Sequence, residues 1–173
     1  IGDLFGRGEL FVPEMLIAAR AMKAGLEVLR PILTASKEPP KGIVVMATVQ
    51  GDLPDIGKNL VCMMLEGAGF EIVDLGVNTD PMSIIEHADK VGADIIGLSA
   101  LLTTSMPFMK LTIEAFEREG KDYPIIVGGA PVTRDYADRI KATGYADNAV
   151  DAVILCKKLI ADAKAMEVER VAM

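Results

Sequence analysis

The sequence predicts an α/β fold, a doubly wound parallel sheet of five strands preceded by part of a helical bundle, and three observations predict it. From residue 42 onward, short β-branched runs alternate with segments of helical periodicity, the signature of a parallel sheet flanked by helices. The loops joining these runs are short, so five βα units make one domain. Ahead of them the polar stretch TASKEPPK (34–41), with its paired prolines, interrupts everything periodic and marks a linker.

Taken in order, Pro13 can open a helix on which Leu16, Ile17, Met22, Leu26 and Leu29 recur at helical spacing until Pro31 limits it. The glycine-rich GDLFGRGELF leads into that helix. Residues 1–35 therefore read as a partial helical cap and 36–41 as the linker. The chain opens on Ile1 and enters a helical pattern almost at once, so the cap is expected to have lost its beginning. The first strand is IVVMATV (43–49), followed by a helix over 56–68. The second strand, 71–75, precedes a helix that Pro81 opens and that runs to 91. Strands at 94–99 and 125–127 alternate with helices at 105–119 and 133–142. A short fifth strand near 144–146 leads to a last helix over 149–163. The α/β domain is expected to span 42–165 in a flavodoxin-like (Rossmann-like) arrangement, with 166–173 as a tail.

Composition excludes several classes of function. With 51% hydrophobic residues the chain has ample material for a packed core. A net charge of −7 without any Lys/Arg cluster argues against nucleic acid and anionic membranes as partners. No apolar run reaches the ~18 residues of a membrane span, and no signal-peptide pattern is present, so a soluble, cytoplasmic protein is expected. Cys62 and Cys156 lie far apart with no metal-binding spacing, so they read as ordinary core cysteines.

In such a sheet ligands bind beyond the carboxyl ends of the strands, so the chemistry belongs to the loops that follow them. Gly51, Asp52, Leu53, Pro54, Asp55, Ile56 and Gly57 follow the first strand; Ser99 to Ser105 follow the third; Gly128 and Gly129 follow the fourth. The first loop fails as a phosphate loop, because five residues separate its glycines and Asn59 stands where a magnesium-binding hydroxyl belongs. Asp52 and Asp55 would also stand in the anion's path. A plainer reading makes Asp55 a helix N-cap and Asp52 a loop acid satisfied by backbone N–H groups, but it leaves the other two loops unexplained. A phosphoacceptor pocket would need an Asp ending the third strand, where Ser99 stands.

The run GDLPDIGKNLV, followed by VDLGVN, GLSALLTTSMPFM and VGGAPVT, resembles the cobalamin-binding module of methionine synthase and of the corrinoid proteins of anaerobic methyltransferase systems. The opening GDLFGRGELFVPEML and ARAMKAG resembles the second half of the helical cap that precedes this module, so the likeness spans nearly the whole chain. The resemblance implies a corrinoid between cap and sheet rim, its nucleotide tail pushed into the α/β domain. Asp52 and Gly57 fill the family's Asp-x-His-x-x-Gly motif, Ser99 and Leu101 its Ser-x-Leu, and Gly128 with Gly129 its Gly-Gly. Thr103 and Ala149 match further contact positions, and Phe5 and Val12 match cap positions that shield the upper cobalt face.

The departure falls where the family has the histidine that ligates cobalt from below. Here stands Pro54, which offers no donor nitrogen. The lone histidine, His87 in SIIEHADK, reads as a surface or partly packed helical side chain. What the resemblance then implies is a methyl carrier with no catalytic residues of its own. It would bind its corrinoid base-off, the lower face empty or water-bound, and shuttle a methyl group from a substrate-specific methyltransferase to a second, methyl-accepting one. The rival readings are a cobalamin-dependent sensory or interaction module and a domain that binds corrinoid weakly or not at all. A mutase-type cobalamin domain is disfavoured by residues 1–33, since those modules lack the cap.

Overall fold

The computed structural model describes residues 39–171 except Pro54, together with single positions between 4 and 28; those from 13 to 28 are helical. Phe5, Val12 and Pro54 lie outside the described residues. Strand β1 (Ile43–Thr48) is followed by α1 (Ile56–Gly67), β2 (Glu71–Asp74), α2 (Pro81–Val91) and β3 (Ile95–Ser99). Then come α3 (Met106–Arg118), β4 (Ile125–Gly128), α4 (Arg134–Arg139), β5 (Gly144–Tyr145) and α5 (Ala149–Val171). The five strands form one parallel sheet in the order β2-β1-β3-β4-β5. This is the flavodoxin-like, doubly wound arrangement that the alternating pattern predicts.

Alternation along the strands decides which helices lie on which face. Val45 and Ala47 of β1, with Val49 just beyond it, pack with Ile96, Leu98 and Val127 under α2, α3 and α4, where Ile84, Met109, Phe116 and Ile140 close the core. Val44 and Met46 point the other way, with Ile95 and Ile126, toward Cys62 and Leu65 of α1 and Cys156 of α5. Both cysteines are free and buried, and burial pushes each thiol up to about 12, as suits core residues. Local chemistry sets the helix ends. Asp80 caps α2 by accepting from the Ser83 amide at 3.0 Å, Pro81 begins it, and Gly92 at φ 63° ends it.

The helix expected over 133–142 is shorter, Arg134–Arg139, and the largest difference lies at the C-terminus. The segment expected to be a tail continues α5 without a break to Val171. Residues 161–170 are exposed, yet Ala, Lys, Glu and Met are strong helix formers and no Gly or Pro interrupts them, so propensity carries the helix past its packed part.

Candidate functional site

In the order β2-β1-β3-β4-β5 the chain winds outward in opposite directions from β1 and β3. The rim between their carboxyl ends is thus the switch point, where two successive loops diverge and leave a crevice. Asp52 sits there, 0% exposed. Its Oδ2 accepts hydrogen bonds from the Leu101 amide (2.6 Å), the Leu102 amide (3.0 Å) and the Ser105 hydroxyl. Ser105 holds the N-cap position of α3 but makes no capping bond with its side chain; the hydroxyl serves Asp52 instead. One carboxylate thereby ties the β1–α1 loop to the β3–α3 loop. Burial pushes the Asp52 carboxyl up, but the hydrogen bonds from Ser105, Leu102 and Leu101, with a contribution from the Leu53 amide, outweigh it. The net effect holds the group below its ordinary 3.8, so it is a carboxylate at neutral pH. Its other oxygen, Oδ1, has no hydrogen-bond partner among the described residues, and neither has the buried hydroxyl of Thr48.

A second bracket comes from the β2–α2 loop. Asn78, in a left-handed conformation (φ 51°), accepts from the Gly51 amide at 2.8 Å and donates its own amide to the Asp52 carbonyl at 3.0 Å. Gly51 itself needs a positive φ of 80°, which glycine adopts without strain. Asp55 takes the N-cap position of α1, although its side chain makes no capping bond. The chain after Asp52 presents apolar side chains outward: Leu53 is 70% exposed, Ile56 71%, and across the crevice Leu101 is 46%.

Below this rim, between α1 and α5, a cavity of about 220 Å³ runs down the sheet face. Gly57, Ser99, Gly128, Gly129 and Ala149 line it, joined by Gly97, Ala146 and Ala152. Two of its glycines are required by close approach of backbone to backbone. A Cβ on Gly129, at φ 132°, would run into the Ala100 carbonyl, and one on Gly128 would lie 3.0 Å from the Ala146 carbonyl oxygen. Lys58 also lines the cavity, its side chain 0% exposed and its ammonium paired with Asp74 of β2 at 2.5 Å. That pairing neutralises a cation buried at the start of α1.

The expected site residues thus fall into two groups in space. Gly51, Asp52, Leu53, Asp55, Ile56 and Leu101 build the rim, while Gly57, Ser99, Gly128, Gly129 and Ala149 wall the cavity. Thr103 belongs to neither: it is exposed in the β3–α3 loop and does not line the cavity. His87 is half-buried on α2, its Nδ1 2.7 Å from the Ser83 carbonyl oxygen, a local helical contact away from the rim. Sequence reasoning missed Ser105, Asn78, Lys58 and Asp74, and in the cavity wall Gly97, Ala146 and Ala152. Of the missed positions only Gly97 carries a signal, a glycine inside a β-branched strand that marks close approach.

An exposed apolar rim thus stands above a cavity whose walls carry glycine and alanine among larger side chains. The family match supplies the ligand's identity: the B12 binding domain family matches residues 42–154, and a second family of the same description matches residues 1–30. The chain belongs to the B12-binding domain family. Its cofactor is a corrinoid. Dimethylamine corrinoid protein 1 of Methanosarcina acetivorans is 44% identical over 164 residues, 93% of this chain and 77% of that protein. Among solved structures, a cobalamin-binding protein from Desulfitobacterium hafniense DCB-2 superposes with a TM-score of 0.80 at 34% identity, covering 91% of this chain and 75% of that one. The methanol:cobalamin methyltransferase complex MtaBC of Methanosarcina barkeri also reaches 0.80, at 29% identity, with 92% of this B12-binding chain covering 61% of the matched chain. Among the described residues no helix is long and apolar enough to cross a membrane.

Proposed function

We propose that this chain is the methyl-carrying corrinoid protein of a methyltransferase system, taking the group from a substrate-specific methyltransferase and presenting it to a second, methyl-accepting one. The observation that carries the reading is the pairing of a charged, two-loop node at the switch point with a glycine-walled cavity directly below it. The named relatives support it: one is a dimethylamine corrinoid protein, and another matching chain sits in a methanol:cobalamin methyltransferase complex. When bound, the corrinoid supplies a cobalt that accepts and releases a methyl group. The chain's own residues divide the work of holding it. Leu53, Ile56 and Leu101 offer apolar surface to its body, and Asp52 and Asn78 fix the loops that carry them. Ser99, Gly57, Gly128, Gly129 and Ala149 receive the nucleotide tail, with Thr103 a further contact from the β3–α3 loop. Residues 1–35 are assigned to the cap and 42–165 to the cofactor domain, with Phe5 and Val12 as the shielding positions that the resemblance gives.

Pro54 has no nitrogen to give a metal, so this position would not ligate cobalt; the cavity would hold the cofactor's own base, and the lower face would be empty or open to water. Absorption spectroscopy of the protein loaded with cobalamin tests this. A base-off spectrum is expected for the wild type, and a shift to a nitrogen-ligated spectrum for Pro54→His. A base-on spectrum in the wild type overturns the lower-face reading, and failure to take up corrinoid overturns the carrier reading itself.

A further inference from the structure

The strand register shows where the cavity ends. Across the sheet Thr48, Ser99 and Gly128 share the row nearest the rim, and Met46, Gly97 and Ile126 share the row beneath it. All three residues of the lower row line the cavity, whereas Val44 and Ile95, one row further down, are buried in the core of that face and do not. Gly57 and Asp147 line it as well and are exposed, so the cavity is open to a ligand from solution. Two residues of this floor cannot adjust, since Gly97 has no side chain and Ile126 is β-branched and stiff. Met46 can. Its thioether, at the end of an unbranched chain with three rotatable bonds, lies across Gly97, where a Cβ would run into Sδ and Cε. Glycine at 97 thus seats the thioether against the sheet. Met46, Gly97 and Ile126 offer an arriving group no hydrogen-bonding side chain, so the contact made there is one of shape.

We propose that Met46, seated on Gly97, decides which lower bases this chain accepts, and that it acts as a yielding floor on which bases of different length are held alike. The inference rests on the corrinoid-carrier reading with the cofactor's base in the cavity. A benzimidazole carries its ribose on the five-membered ring, so the six-membered ring leads into the cavity and methyl groups on its outer edge meet the floor first. With the thioether down on Gly97, the dimethylated base of cobalamin has room. Rotation about the methionine's bonds raises the sulfur to an unmethylated base, and a polarizable sulfur against an aromatic ring is a favourable contact. A floor of fixed height would fit one of the two bases and would either clash with the other or leave a void beneath it.

The test is the affinity of the protein for two complete corrinoids that differ only at that edge, cobalamin and its analogue with an unmethylated benzimidazole, with a corrinoid lacking the nucleotide tail as control. Corrinoid uptake and a base-off spectrum are established first. The wild type is expected to bind the two within about threefold of each other, less than a fixed apolar pocket gives for added methyl groups. Gly97→Ala puts a Cβ in the seat and drives the thioether up into the cavity, so cobalamin is expected to weaken at least about tenfold while the analogue holds. Met46→Ala takes the floor away, so the analogue is expected to weaken about threefold or more over the void while cobalamin holds. In the double variant the added Cβ has no thioether to displace, and cobalamin affinity is expected to return, a rescue that damage to the strand would not produce. The tail-less control is expected to be indifferent to every substitution. A wild-type preference of about tenfold or more for either complete corrinoid overturns the inference. So does equal weakening of both by Gly97→Ala, or a double variant that binds cobalamin no better than Gly97→Ala alone. If Gly97→Ala does not fold, Met46→Ala decides by itself, and an unchanged ratio in it overturns the inference. Absence of uptake of any corrinoid, or a base-on spectrum, instead overturns the reading on which the inference stands, so the two failures are distinguishable.

Discussion

The two faces of the sheet share the same strands but are filled differently. On the α2–α4 face large side chains close the core along the whole length of the strands, from Val45, Ile96 and Ile84 to Val49, Leu98, Met109 and Phe116, with alanines packed between them. On the α1–α5 face the lower rows are closed in the same way by Val44, Ile95, Ile126 and Leu65. Toward the carboxyl ends that face thins out. Gly97 lies beside Met46, Ser99 pairs in register with Gly128, and α5 contributes Ala149 and Ala152. What the difference teaches is a division of labour: one face supplies the packing that stabilises the sheet, and the other gives up packing where a ligand must enter.

The largest expected effect breaks the packed face. Phe116 is 1% exposed and meets Tyr123 edge to face, ring centroids 5.7 Å apart. Phe116→Ala removes a buried aromatic ring from the packed core, and is expected to cost about 3 to 5 kcal/mol in denaturant unfolding. Corrinoid uptake per folded molecule should stay unchanged. A comparable loss of uptake would mean that the two faces are not separable.

The open face answers to the opposite change. Ala152 is buried on α5 and lines the cavity, so Ala152→Leu extends three carbons into space that is already there. Stability is expected to move by no more than about 1 kcal/mol, in either direction, because the added volume fills a void rather than overpacking a core. Affinity for cobalamin should fall at least about tenfold, while affinity for a corrinoid lacking the nucleotide tail should hold. Equal loss for both would place the effect on the rim rather than in the cavity.

How far this division was legible in the sequence depends on distance along the chain. The strands were readable because β-branched runs such as 43–49 and 94–99 stand out locally, and the largest departure, the helical continuation to Val171, came from a solvated segment with no packing to mark it. The loops were readable because Asp52, Gly57, Ser99, Gly128 and Gly129 are unusual at the ends of strands, and the resemblance gave them a common purpose. What was not legible is how they meet. Ser105 looks like any helix-opening serine, and nothing near it announces that its hydroxyl serves an acid 53 residues earlier. Lys58 and Asp74 look like two solvated charges until the fold buries one of them against the other. Ala152 has the most ordinary signal of all, since an alanine on an amphipathic helix marks a cavity wall only when the facing strand has a glycine.

The smallest effect is a matter of slope. Hydrogen bonding holds the Asp52 carboxyl below 3.8 in the folded protein despite the opposing pull of burial, so between its folded and unfolded values the native chain binds fewer protons than the unfolded one. Stability contributed by Asp52 is therefore complete above about pH 4 and is lost as pH falls through the folded value, by at most about 1.4 kcal/mol per pH unit for a single proton. Asp89, held down mainly by Lys121 and Tyr123, acts in the same direction but at an exposed ion pair far simpler than the rim. Salt separates the two, because an exposed pair is screened and a buried carboxylate bonded to amides is not. Unfolding followed from pH 7 into acid should show the gap between wild type and Asp52→Asn narrowing below pH 4 at both low and high salt, whereas the gap to Asp89→Asn should be small in high salt at every pH. A gap for Asp52→Asn that stays constant into acid would mean that folding leaves the titration of Asp52 unshifted, and one that widens between pH 7 and 4 would mean that the group is already protonated at neutral pH.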